Sequence, residues 1–128
     1  MNYYIYPIFH VTSASSLNRA RLCDMIRHLV LERFAPRLRD RAPDEARIAD
    51  AMPRIEYQFE VLEEWLGGHD YLAGETVSIA DFFLVPMLGY VRMTPEGGKL
   101  CDAAPSVMRW WDAMASHASF AATEPAPR

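Results

Sequence analysis

The chain has 128 residues, 51% of them hydrophobic and 23% charged, the make-up of one globular domain with its own core rather than a disordered chain. Its net charge of −4 disfavours a nucleic-acid or anionic-membrane surface. Two cysteines, Cys23 and Cys101, are too few for a disulfide framework and lack metal spacing, and no apolar run reaches the roughly 20 residues of a membrane span. This cysteine usage fits a reducing, cytoplasmic setting, and no Lys or Arg precedes the first apolar stretch as in a secretory signal.

In the first forty residues, Tyr3, Tyr6, Phe9 and His10 share helical spacing, interrupted by Pro7 and by the polar run Thr12 to Ser16. Tyr3 to Val11 is the one β-like stretch, and Pro7 counts against it. Leu22, Met25, Ile26, Leu29, Val30 and Phe34 then form an amphipathic stripe, followed by a charged segment, Arg37 to Arg41, that reads as a solvated connection. From Pro43 to Leu66, apolar residues fall at Ile48, Met52, Ile55, Phe59, Leu62 and Leu66, one face of a long helix. Pro43 suits its first turn, Asp44 and Glu45 favour the positive end of its dipole, and Gly67-Gly68 closes it. Pro53 predicts a kink near Ala49 to Met52.

The spacing predicts a second helix from Ile79 to about Arg92. Ser78 and Asp81 form the capping box at its start, with Val77 and Phe82 in the positions of a hydrophobic staple. Thr94 to Gly98 reads as a break, and a third helix runs from Pro105 to about Ser116 with Val107, Trp110, Trp111 and Met114 on one face. Ala121 to Arg128 reads as a loose tail after a single domain over 1–121. The expectation is an all-α helical bundle.

No catalytic constellation stands out. His10, His28, His69 and His117 have no metal spacing, and the two Gly-Gly pairs lack the strand-before, helix-after setting of a phosphate loop, so no metal site is expected. Glu63 and Glu64 point about 100° apart on a helix and form no acid–base pair. Cys23 reads as a small core residue, and Asp102 beside Cys101 works against a thiolate. Trp65, Trp110 and Trp111 read as core or interface residues. The cluster Tyr3, Tyr4, Tyr6 and Phe9 reads either as packing or as the wall of an apolar cleft.

The run from Tyr71 to Asp81, with Gly74, Ser78, Ala80 and Asp81 followed by Phe82, resembles the capping-box region of the C-terminal helical domain of glutathione S-transferases. The likeness extends back to Pro43-Asp44-Glu45-Ala46 and forward through Thr94-Pro95-Glu96-Gly97, Trp110-Trp111 and Ser119-Phe120, covering residues 43–121. Residues 10–35 are longer and more irregular than the corresponding family region, and the family's N-terminal thioredoxin-like domain has no counterpart here.

The resemblance implies that Tyr3, Tyr6, Phe9 and His10 line the site for a hydrophobic electrophile. The absent domain would hold glutathione, the co-substrate, and its thiolate. It also implies a homodimer or a partner thioredoxin-like domain, no nucleic-acid or membrane partner, no catalytic residue on this chain, and no activity of this chain alone. Ser78 and Asp81 carry over as structural caps. The alternative is a non-catalytic interaction module, because helical domains of this type are also appended to a translation elongation factor subunit and to some aminoacyl-tRNA synthetases.

Overall fold

The computed structural model describes residues 25–123. Among these the fold is all-α, a helical bundle without strands. A π-helical segment, Met25–Val30, runs into two short helices, α1 (Leu31–Arg33) and α2 (Ala35–Leu38). The long helix α3 (Glu45–Gly68) follows, then α4 (Ile79–Arg92), α5 (Pro95–Asp102), α6 (Pro105–Ala115) and α7 (Ala118–Thr123). The π-helical segment packs against α3 and α4, α3 against α6, and α5 sits between α4 and α6.

The long apolar stripe behaves as its spacing predicts. Ile48, Ile55, Phe59, Leu62 and Leu66 are buried, together with Ala51, while Met52 is half-buried against the same core. Helix α3 runs unbroken across Pro53. Its first residue, Glu45, is two residues later than Pro43 suggested. Asp44 adopts an extended conformation as the N-cap and its side chain accepts the Arg47 amide at 3.0 Å, so the proline lies before the helix. Gly67 and Gly68 are its last two residues, so the helix closes at the pair, as the sequence predicts. Of the N-terminal stripe, Met25, Leu29 and Val30 are buried and Phe34 packs against the core; Leu22 lies outside the described residues.

Helix α4 has the boundaries the capping box predicts. One face, with Ala80, Leu84, Val85, Leu88 and Val91, is buried. The other is exposed, so the helix is sheltered on one side only.

Three expectations are corrected. The break read at Thr94 to Gly98 is shorter than expected: only Met93 and Thr94 separate α4 from α5, because Thr94 caps α5 by accepting the Gly97 amide at 3.0 Å while its hydroxyl donates to the Val91 carbonyl at 2.7 Å. Arg37 to Arg41 is not simply a solvated connection. Arg37 and Leu38 belong to α2, and Arg41 donates to both oxygens of Glu32, a carboxylate with 2% exposure, at 2.8 and 3.0 Å. The segment assigned to a loose tail begins inside α7, which reaches Thr123.

The Glu32 carboxylate also accepts from Arg47 at 3.3 Å and from the Asp44 amide at 3.2 Å, which ties α1 to the start of α3. The Arg41 hydrogen bonds are the largest cause holding its carboxyl down at about 2, against an ordinary 4.5, with burial opposing and the Asp44 amide assisting. A carboxyl whose pKa is lower in the folded chain stabilises the fold above its unfolded value and loses that contribution on acidification. Acid titration of the fold is therefore expected to show destabilisation between about pH 4.5 and 2 that is reduced in Arg41→Gln. Circular dichroism across that range checks it.

Arg33 makes a second tie. Its guanidinium reaches Glu45 at the head of α3, at 2.9 Å from Nη2, and Glu96 at the head of α5, at 3.1 Å from Nε. The pairing with Arg33 holds the Glu96 carboxyl below its ordinary value.

Candidate functional site

The aromatic segment assigned to the electrophile site, Tyr3, Tyr6, Phe9 and His10, lies outside the described residues, as does Cys23. The capping residues Ser78 and Asp81 lie inside them, and they organise more than one helix end. The Asp81 carboxylate is fully buried. Its Oδ2 accepts the Ser78 amide at 2.8 Å and the Ser78 hydroxyl at 3.0 Å, while its Oδ1 accepts the Leu72 amide at 3.0 Å and the Trp110 indole N–H at 2.7 Å.

This one side chain therefore joins the start of α4, the preceding loop and the centre of α6. Leu72, 1% exposed, anchors that loop in the core, and the loop turns through paired bonds between Tyr71 and Gly74 at 2.8 and 3.1 Å. Gly74 has φ +123°, a backbone conformation that strains any residue with a Cβ.

The sequence reading of Asp81 as a cap is right but incomplete. The bonds from Leu72 and Trp110 span 9 and 29 residues, and neither leaves a local signal. The Phe82 ring, at the staple position, lies edge-on to His117, with centroids 5.5 Å apart.

Glu63, read as no member of an acid–base pair, has a structural task that the sequence hid. Its two oxygens accept the Ser106 and Val107 amides, each at 2.9 Å, and cap α6 from 43 and 44 residues away, where the N-cap residue Ala104 has no side chain to do so. Burial pushes the Glu63 carboxyl up, and the two amides more than offset it, leaving it below its ordinary value. Glu63→Ala is expected to lower stability by about 1 kcal/mol, as for the loss of other N-caps, seen as a lowered melting temperature.

The described residues hold no prepared nucleophile. Cys101 is buried at 3% exposure and burial raises its thiol to about 11, with Asp102 a smaller contribution in the same direction. The two buried hydroxyls, Ser78 and Thr94, are both committed to helix ends. His69 stacks on Trp65 at 3.9 Å, and His28 accepts from Arg47 at 2.9 Å through Nδ1. No three His, Cys, Asp or Glu side chains among the described residues are placed to hold a metal. Trp110 is fully buried and Trp111 half-buried, stacked under Arg92 at 4.9 Å and edge-on to Phe120. No helix among the described residues is long and apolar enough to cross a membrane.

Residues 22–118 match the family model for the glutathione S-transferase C-terminal domain. The chain belongs to the glutathione S-transferase family. It is 32% identical over 88 residues to glutathione S-transferase F13 of Arabidopsis thaliana, a match that spans 69% of this chain and 40% of that protein. It is 36% identical over 78 residues to the probable glutathione S-transferase GSTF2 of Oryza sativa subsp. japonica, spanning 60% of this chain and 36% of the relative.

Among solved structures, glutathione transferase F7 of Populus trichocarpa superposes with a TM-score of 0.73 at 23% identity over 95% of this chain and 55% of its own. The apo form of glutathione S-transferase III gives a TM-score of 0.73 at 25% identity over 96% of this chain and 56% of its own. The chain thus spans about two-fifths of that Arabidopsis relative and about half of the solved chains.

Proposed function

We propose that this chain is the electrophile-binding half of a glutathione-conjugating enzyme. A thioredoxin-like domain would hold glutathione and present its thiolate, and Tyr3, Tyr6, Phe9 and His10 would form the apolar wall against which a hydrophobic electrophile is held for attack. Positioning both reactants turns a two-body encounter into a near-unimolecular step, while an apolar wall binds the electrophile without competing for the thiolate. The family match over residues 22–118 supports the conjugating-enzyme part of this reading; Tyr3, Tyr6, Phe9 and His10 lie before the matched segment and enter from the resemblance alone.

The chemistry of the described residues supports the same division of labour, because the Cys101 thiol is raised to about 11 and the two buried hydroxyls, Ser78 and Thr94, are committed to helix ends. Glutathione is a co-substrate of the assembled enzyme and the chain alone is inactive. Detoxification in the cytoplasm fits this reading, with no nucleic-acid or membrane partner.

Titration calorimetry on the pure chain tests the division. An apolar aryl halide should bind, several-fold more weakly in Phe9→Ala and Tyr6→Ala, and glutathione should show no micromolar binding. Tight glutathione binding, or aryl-halide binding indifferent to both substitutions, overturns the proposal. The second reading, a non-catalytic protein–protein interaction module of the same domain type, is favoured by the exposed apolar face of α4.

A further inference from the structure

Helix α7 is six residues long, too short to persist alone, so it depends on how its first turn is closed and on what it packs against. His117 closes that turn. Its carbonyl accepts the Phe120 amide at 3.0 Å, and its ring Nδ1 accepts the Ser119 amide at 3.3 Å, where Ser, Asp or Asn commonly places a side-chain oxygen. The half-buried imidazole also lies edge-on to Phe82, so the group that caps α7 is held against α4.

Docking follows from the cap. Phe120 sets its ring edge-on to Trp111 of α6, with centroids 5.9 Å apart. Trp111 in turn lies under Arg92 at 4.9 Å and against Gly89, where a Cβ would meet its ring at 3.1 Å. His117 and Phe120 thus fasten α7 to α4 and α6.

An imidazole differs from the common capping groups in one respect: it takes up a proton within the range of about pH 5 to 8. Only the neutral ring accepts at Nδ1. Once protonated, Nδ1–H faces the Ser119 N–H, donor against donor, and a positive charge stands at the positive end of the helix dipole. Both effects act against α7.

The charged groups on the surrounding elements are engaged elsewhere or screened. On α4, Asp81 is buried in its own node and Arg92 lies over Trp111. On α6, Arg109 donates to the Leu66 and His69 carbonyls, while Asp112 is exposed to water. Helix α7 itself carries no charged side chain.

We propose that His117 is a pH-sensitive cap: α7 is docked while the imidazole is neutral, and leaves Trp111 when the ring takes up a proton. This device stands independently of the conjugation reading.

NMR of the full chain at about pH 7.5 and about pH 5.5 tests it. The comparison is His117→Asn, because Asn caps through an amide oxygen that does not titrate. In the parent chain the Cα shifts of residues 118–123 should lose helical character at the lower pH, the ratio of docked to released α7 falling roughly fivefold, as for the loss of an ordinary N-cap. In His117→Asn they should stay helical at both. The buried Leu84 and Leu88 of α4 should not respond in either protein, which separates release of α7 from unfolding of the bundle. Shifts over 118–123 that are the same at both pH values in the parent chain overturn the proposal. So does a loss that persists in His117→Asn or is shared by Leu84 and Leu88, or an Asn variant whose α7 is not helical at the higher pH.

Discussion

Replacing Asp81 by Ala is expected to remove about 4 kcal/mol of folding free energy, enough to leave a large fraction of the chain unfolded at ambient temperature. The reason is the number of groups the carboxylate serves. The Ser78 amide, the Leu72 amide and the Trp110 indole N–H all lose their acceptor at once, in a place where water cannot replace it. Asp81→Asn keeps the shape and one acceptor oxygen but turns an N–H₂ toward donors, and should cost about half as much. Ser78→Ala, which removes one hydroxyl and leaves the carboxylate in place, should cost about 1 kcal/mol. Urea unfolding of the three variants reads the order directly. An Asp81→Ala cost no larger than that of Ser78→Ala would show that the node is only a helix cap.

Gly97→Ala should be the second most damaging small change, at about 3 kcal/mol. A Cβ at this position would sit 2.0 Å from the Val91 carbonyl oxygen and 2.6 Å from its carbon, and both are backbone atoms that no rotamer change moves aside. Accommodating it means parting α5 from the end of α4 and disturbing the Thr94 cap between them. The neighbouring glycine is the control. A Cβ on Gly98 would come no closer than 3.6 Å, to the Arg92 carbonyl, so Gly98→Ala gains helix propensity and should raise stability by up to about 1 kcal/mol. Thermal melts of the two variants should shift in opposite directions.

These glycines also show where sequence reasoning stopped. Two adjacent glycines after a proline read as a break, yet they belong to a helix in which Gly97 is required by close backbone approach and Thr94 supplies the cap. The same motif logic succeeded at α4, where the signals that define the start, Ser78 and Asp81, lie three residues apart. The long stripe of α3 was legible for the same reason, since a repeat of three and four residues is local.

What stayed hidden acts across the chain. Glu63 caps α6 from more than forty residues away, Trp110 and Leu72 bind a carboxylate known only as a cap, and Arg33 joins the heads of α3 and α5. No spacing rule reports such contacts, because they depend on how the helices pack. The electrophile segment, Tyr3 to His10, was legible as an aromatic cluster only; its role comes from family resemblance and lies outside the described residues.

The most direct measurement is the rate at which the pure chain conjugates glutathione to an aryl halide. If the thiol chemistry resides in a separate thioredoxin-like half, adding this chain leaves the buffer rate unchanged at any pH where the fold is intact. Saturable acceleration by the chain alone, retained after Cys101→Ala, would contradict that division and place glutathione activation within these 128 residues.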